Sequence, residues 1–232
     1  MGNRQSTKRR RWTWLLTAAL LVATWTIQAW ADETESQQTT VDRAEQTVER
    51  FAADPDLQWF RDNIDEAEGV LVVPVSVKGG FIVGASGGVG VLLDRHSDGT
   101  WSYPAFYQLT SVSLGLQAGA DVSEVILLVM TEAGQDALLS TELKLGGDVS
   151  VAAGPVGVGA KAQTADVIAF SRSRAGLYGG LNLEGSLVRP KPAWNRTYYG
   201  RSVSPREILL ERSVSNPDAD ALRRALAEAA AP

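Results

Sequence analysis

Apolar residues recur at helical steps through the first ordered stretch of pattern, at Val41, Ala44, Val48 and Phe51 and again at Leu57, Phe60 and Ile64. Asp54-Pro55 separates the two sets. An aspartate cap followed by proline at the first helical position predicts two short helices between Thr39 and Ala67. From Val70 the period changes to two, with short Val, Leu and Ile runs broken by Gly, Asp and Ser, as in an antiparallel sheet. Between Ser111 and Ala118, Val112, Leu114, Leu116 and Ala118 alternate with Ser111, Ser113, Gly115 and Gln117. The run from Glu124 to Thr131 is apolar on both faces and predicts a central strand, followed by a short helix from Glu132 to Ser140. Capping chemistry marks two closing helices. Ser204-Pro205-Arg206-Glu207 is a capping box, and Asn216-Pro217-Asp218 starts a helix with Leu222 and Leu226 facing inward. The pattern therefore predicts an α+β protein: a strongly curved, mainly antiparallel sheet, open or barrel-like, with N-terminal and C-terminal helices.

The stretch from Gly79 to Leu93, GGFIVGASGGVGVLL, invites comparison with a phosphate-cradling loop. It fits neither G-x-G-x-x-G nor G-x-x-x-x-G-K-[ST], and Val91-Leu92-Leu93-Asp94 does not start a helix. The stretch from Gly154 to Lys161 is a second near miss, with its lysine one place late and no Ser or Thr after it. Read with period two, 79–93 is one long strand. Gly84, Gly88 and Gly90 share a face with Ser86, which predicts close approach of another backbone. The segment from Gly176 to Val188 has a similar pattern.

The first 31 residues change the charge reading. Arg4, Lys8, Arg9, Arg10 and Arg11 precede an apolar run from Trp12 to Trp30 and the site Ala29-Trp30-Ala31, the order of a secretory signal peptide. The expected division is a signal peptide over 1–31, an acidic helical segment over 32–68, and a β-rich part with C-terminal helices over 69–232, the last two forming one globular domain. Cleavage after Ala31 predicts a periplasmic or secreted protein. Without cleavage the apolar run is long enough to anchor the chain in the inner membrane. Removing 1–31 takes five basic residues and no acid, so the net charge falls from −5 to −10. Generic nucleic-acid binding needs a cationic surplus, so no nucleic-acid partner is expected. The absence of cysteine excludes disulfides, thiolate metal sites and a cysteine nucleophile.

Candidate chemistry is sparse. The one histidine, His96, stands in the turn-like Asp94-Arg95-His96-Ser97-Asp98-Gly99, and no serine occupies G-x-S-x-G. No catalytic residue, metal or cofactor is expected. Within 32–68, Arg43, Arg50 and Arg61 stand among twelve acidic residues, which reads as a solvated helical face. The clearer cationic signal is later: between Lys161 and Arg212 nine basic residues face four acidic ones. Lys78, Arg172, Arg174, Arg189, Lys191 and Arg196 are the candidate contacts to anionic lipid headgroups, with Trp194, Tyr198 and Tyr199 as interfacial aromatics. Asn195-Arg196-Thr197 is formally a glycosylation sequon, to which no role is assigned.

Several blocks in order resemble the SYLF domain family: EGVLVVPVSVKGGFIVGASGGVGVLL (68–93), GTWSYPAFY (99–107), GLQAGADVSEVILLVMT (115–131), KLGGDVSVAAGPVG (144–157), SRSRAGLYGGLNLEGSLV (171–188) and NRTYYG (195–200). Together with the signal peptide, the chain looks like the family's bacterial, exported branch. The resemblance implies a non-enzymatic lipid- or membrane-associated domain, since eukaryotic members bind phosphoinositides and actin. Those members often carry lysine before the first strand and arginine before the paired glycines, where this chain has Glu66-Ala67-Glu68-Gly69 and Ser86-Gly87-Gly88. Phosphate recognition is not carried over to those positions, and actin is not expected as a partner of an exported protein. The expected partner is an anionic phospholipid or membrane surface. The alternative is an envelope structural or protein-interaction module without direct lipid binding, whose partner face would be the acidic helices.

Overall fold

The computed structural model describes residues 36–80, 83–114, 119–154, 164–173 and 183–231. The expected signal peptide lies outside these residues. The apolar spacing of the N-terminal segment produces helix α1 (Gln37–Ala52), whose Val41, Ala44, Val48 and Phe51 are buried. Asp54 caps the next turn by accepting a hydrogen bond from the Asp56 N–H, with Pro55 at its start, and α2 (Gln58–Asn63) follows. Period two then gives β1 (Gly69–Gly80), β2 (Val83–Asp94), β3 (Ala105–Leu114) and β4 (Gly119–Val129). Helix α3 (Glu132–Leu138) is capped by Thr131, and the short strands β5 (Leu143–Lys144) and β6 (Val151–Ala153) come after it. Strand β7 (Val167–Ser173), strand β8 (Leu187–Pro190), α4 (Pro192–Tyr199), α5 (Pro205–Leu209) and α6 (Asp220–Ala229) complete the order.

All eight strands join one sheet in the order β5-β8-β3-β2-β1-β4-β7-β6, antiparallel except at β6–β7. It is a curled half-barrel, open at β5 and β6. Both faces are covered. Val70, Val72, Val91, Leu93, Phe106, Ile126, Leu128, Ile168 and Phe170 face α1, α2 and α6. Their alternate neighbours Leu71, Val73, Leu92, Tyr107, Leu109, Val125, Leu127 and Val129 face α3, β5 and α5. That double covering is why the β4 run lacks alternation. The expected α+β class, curved sheet and flanking helices are all present.

One irregularity shapes the middle of the sheet. Val72 pairs with Val91 and Val77 with Gly87, so β1 spends five steps where β2 spends four; against β4 the same extra residue falls between Val73 and Ser76. The bulge contains Pro74, which has no N–H to give a ladder. Its carbonyls press on β2: a Cβ built on Gly88 lies 2.1 Å from Val75 O, and one on Gly90 lies 2.4 Å from Val72 O. Gly84 pairs with Gly80 and Ser113, and its surroundings lie outside the described side chains.

Three expectations need correction. The 79–93 stretch is not one strand, because Gly79 and Gly80 end β1 and β2 begins at Val83, running antiparallel to it with Gly80 opposite Gly84. In 176–188, residues 176–182 lie outside the described set; among the described residues Leu183–Ser186 form a turn around Gly185 at φ 81°, and the strand there is the start of β8. Helix α4 was not anticipated from the spacing, although Pro192 at its start, the pair Trp194 and Tyr198, and Gly200 at φ 68° after its end are its signals.

The bulge makes a definite prediction. Gly88→Ala forces a methyl into the Val75 carbonyl and lowers the unfolding free energy by about 1–3 kcal/mol, read from urea denaturation. An unchanged midpoint would show that β1 yields freely at this point.

Candidate functional site

Helix α1 turns a polar flank as well as an apolar stripe toward the sheet. Arg43, Gln46, Thr47 and Arg50 follow three- and four-residue steps and lie on one side of the helix. Opposite them, Glu124 of β4 and Arg172 of β7 are cross-strand partners in register, so their side chains share the face that α1 covers. Arg43, Gln46, Arg50, Pro74, Glu124, Arg172 and Ser173 enclose a cavity of about 320 Å³. Pro74 enters this wall because the β1 bulge brings it there.

Glu124 is buried within β4, just ahead of the apolar run Val125–Val129, where a carboxylate needs partners. Arg50 donates to both its oxygens, through Nη2 to Oε1 and through Nε to Oε2 at 3.3 Å, while the Thr47 hydroxyl donates to Oε1 at 3.3 Å. Arg172 Nη1 stands 4.0 Å from Glu124 Oε2, and its Nε stands 3.7 Å from Asp54 Oδ2. Three guanidiniums and one carboxylate thus line the cavity, with Asp54 a second acid beside Arg172. Guanidinium groups match phosphate and carboxylate oxygens in pairs, so the chemistry offered is anion recognition.

The structure divides the sequence-derived cationic residues. Arg172 is in the cavity wall. Arg189 lies on β8, separated from β7 by four intervening strands in the sheet order, and ion-pairs with Glu142. Lys191 places its Nζ 4.7 Å over the Trp194 ring, and Arg196 is exposed on α4. Lys78 is in register with Ser86 and Asp121, its side chain lying outside the described ones, and Arg174 lies outside the described residues altogether. The described residues of the six form no single patch: Arg189, Lys191 and Arg196 follow one another along β8 and α4, apart from Arg172. Arg43, Arg50 and Glu124 were missed as site residues. The available signal was Glu124 itself, an acid opening a run otherwise buried on both faces.

The remaining polar candidates have structural employment. Asn195 is fully buried on α4 and its Oδ1 accepts the Phe106 N–H at 2.7 Å, so the sequon's amide is not presented to solvent. Tyr198 and Tyr199 pack by the β3 aromatic Phe106 and each other, and the Tyr199 hydroxyl donates to Pro104 O at 2.6 Å. Among the described residues no group of three or more His, Asp or Glu is placed to hold a metal ion, and no helix is long and apolar enough to cross a membrane.

Asp94 ends β2 and is 4% exposed. Its carboxylate accepts a hydrogen bond from Gln135 Nε2 and lies 3.6 Å from His96 Nδ1. Burial raises its pKa above the usual carboxylate value, against the lowering influence of Gln135, His96 and Arg212. The adjoining cavity, lined by Gly69, Leu92, Val129 and Leu138, measures about 10 Å³, room for about one water molecule.

Comparison with known proteins gives the same family from two directions. The family model described as "Ysc84: Las17-binding protein actin regulator" matches residues 110–229. "LAS seventeen-binding protein 3" of Saccharomyces cerevisiae is 33% identical over 176 residues, 71% of this chain and 37% of that protein. "Protein YSC84" of the same organism is 32% identical over 174 residues, 70% of this chain and 36% of the relative. "SH3 domain-containing YSC84-like protein 1" of Homo sapiens is 32% identical over 152 residues, 63% of this chain and 44% of the relative. The chain thus spans less than half the length of these relatives.

The buried Asp94 carboxyl yields a pH test. Because its folded pKa is raised, the ionised form weakens the fold at neutral pH, and that penalty disappears as pH falls toward the unfolded value. Asp94→Asn should therefore raise the urea midpoint at pH 7, with the gain vanishing below about pH 4, where both states hold the proton. A gain that grew on acidification would contradict this assignment.

Proposed function

The chain belongs to the Ysc84 family, that of the SYLF domain, and on that premise we propose that it is a non-enzymatic, periplasmic, membrane-associated binding domain that contacts anionic lipid headgroups. The observation that carries the reading is the arginine-lined cavity between α1 and the sheet, a concentration of cationic side chains within an acidic chain. The exposed cations Arg189 and Arg196 offer additional electrostatic contact along β8 and α4. Export is supported by the basic start, the apolar run and Ala29-Trp30-Ala31. If that segment stays attached, the domain is tethered to the inner membrane and meets the same headgroups at shorter range. The family model is described by Las17 binding and actin regulation; an exported domain meets neither, and the shared property carried over is binding without catalysis.

A second reading, an envelope interaction module without direct lipid contact, is favoured by the acids of α1. Asp42 and Glu49 are exposed there, and desolvation followed by repulsion from Glu49 and Asp42 raises the Glu45 pKa. A basic protein surface would relieve that repulsion.

The deciding measurement is co-sedimentation of the protein, purified as the cell produces it, with phosphatidylglycerol–phosphatidylcholine vesicles and with phosphatidylcholine vesicles alone. The expected result is binding to the anionic vesicles at low salt that weakens as ionic strength rises, since surface attraction is screened within about 10 Å at 0.1 M. Equal binding to both compositions, or none to either, would overturn the lipid reading, and a defined crosslinked protein partner in intact cells would then select the second.

A further inference from the structure

We propose that Asp94 and His96 form a proton-operated latch, in which a charged His96 draws onto the buried Asp94 carboxylate and tightens the 94–102 hairpin against α3. The latch is independent of the lipid reading above.

The hairpin leaves the end of β2 and folds back on itself. Arg95 and Trp101 form an antiparallel bridge, and the His96 N–H donates to Thr100 O at 2.9 Å. At its base the Ser102 N–H donates to Asp94 O at 2.8 Å, and the Asp94 N–H donates to Ser102 Oγ at 2.9 Å. Its tip is tied to the C-terminal part of the chain. Arg212, just after α5, donates through Nη1 to Thr100 Oγ1 and through Nη2 to Thr100 O, both at 2.9 Å. It does so at φ 50°, a conformation rare outside glycine, so the hairpin is held in place against backbone strain.

Asp94 stands where the hairpin, the sheet and α3 meet. The residues around it, Gly69 of β1, Leu92 of β2, Val129 of β4, Leu138 and Leu139 of α3 and Leu209 of α5, are apolar. Gln135 of α3 donates to one carboxylate oxygen, and the other lies 3.6 Å from His96 Nδ1, beyond hydrogen-bond distance. Two further charged groups face the pair. Arg212 attracts Asp94, but its Nη groups are taken by Thr100. Asp98 attracts His96, but it is exposed and its Oδ1 already accepts the Thr100 N–H and hydroxyl. A carboxylate buried among apolar side chains with one neutral donor is costly, and an amide in its place would avoid the cost. Beside a partly exposed imidazole, it gains an ionic partner only when that ring is charged, and histidine is the side chain that changes charge across the physiological range.

A cation that gains an anionic partner on folding stabilises the fold at low pH, and that contribution is lost as pH rises. The latch is therefore tighter in mild acid and looser at alkaline pH. Its lower limit is protonation of Asp94, whose pKa burial raises against the lowering influence of Gln135, His96 and Arg212.

The test is amide hydrogen exchange of the protein, purified as the cell produces it, at about pH 8 and pH 6 with intrinsic rates divided out. His96 N–H and Ser102 N–H report the hairpin, Gln135 N–H, which donates to Thr131 O, reports α3, and Ala53 N–H at the end of α1 is the reference for global opening. The expected result is protection of the first three amides that rises about fivefold at pH 6 relative to Ala53, the upper end for an exposed ion pair. His96→Gln and, separately, Asp94→Asn should abolish the rise, Asp98→Asn should keep it, and His96→Lys should hold the hairpin protected at both pH values. Equal protection of the parent at the two pH values, or a rise that survives His96→Gln, would overturn the latch. A rise lost in Asp98→Asn but kept in Asp94→Asn would overturn the assignment of Asp94 as its anion.

Discussion

The extra residue in β1 governs the geometry of the molecule's middle. Strand β1 is paired on both sides, with β2 and β4, so an insertion there cannot relax at an edge; both neighbours must absorb it. Strand β2 absorbs it by giving up side chains at Gly88 and Gly90, where carbonyls of Val75 and Val72 occupy the space a Cβ needs. Strand β4 absorbs it by a shift of register between Val73 and Ser76. Ahead of the bulge, Val70 and Val72 point to the α1 face; beyond it the parity reverses, and Val77 joins Val122 on that face. Pro74, unable to donate to either ladder, stands at the change and becomes cavity wall.

The rest of the fold follows from covering such a sheet on both sides. A strand apolar on both faces is stable only between two layers, and β4 has α1 and α6 on one side and α3 and α5 on the other. Phe51, Phe60 and Phe170 interlock as edge-to-face rings at 6.0 and 5.5 Å, fixing α1 and α2 against β7. That packing sets the distance from α1 to the sheet, and through it the separation of Arg43 and Arg50 from Arg172. The cavity is thus a consequence of where an apolar contact ends and a polar one begins along the same helix.

Much of this was legible from spacing. The α1 stripe, the Asp54 cap, the two-sided β4 run and the Ser204 capping box each encode their structure locally, within one turn or one strand. The break between β1 and β2 was not, because glycines at 79, 80 and 84 suit both one continuous strand beside a crowded neighbour and the ends of two strands. Strands β5, β6 and β8 run only two to four residues, too short for a period to show, and exist through pairing with distant segments. The site was half legible. Arg172 could be singled out by local charge, but Arg43 and Arg50 disappear among the acids of their segment until the fold sets α1 over β4, with Glu124 more than seventy positions away from Arg50.

That long-range ion pair is the part of the molecule that stability alone explains least. Removing Glu124 and Arg50 from water carries a desolvation cost, and an apolar pair of similar volume would hold α1 to β4 as well or better. The adjacent core does this with Phe51, Phe60 and Phe170. Arg50 keeps a side chain 40% exposed and Arg172 one 34% exposed, so neither charge is sealed inside. A carboxylate at the bottom of a cavity, with guanidiniums at its rim still open to solvent, costs more than it returns as a clasp; as a scaffold that presents cations at a fixed spacing, it has a use that hydrocarbon has not.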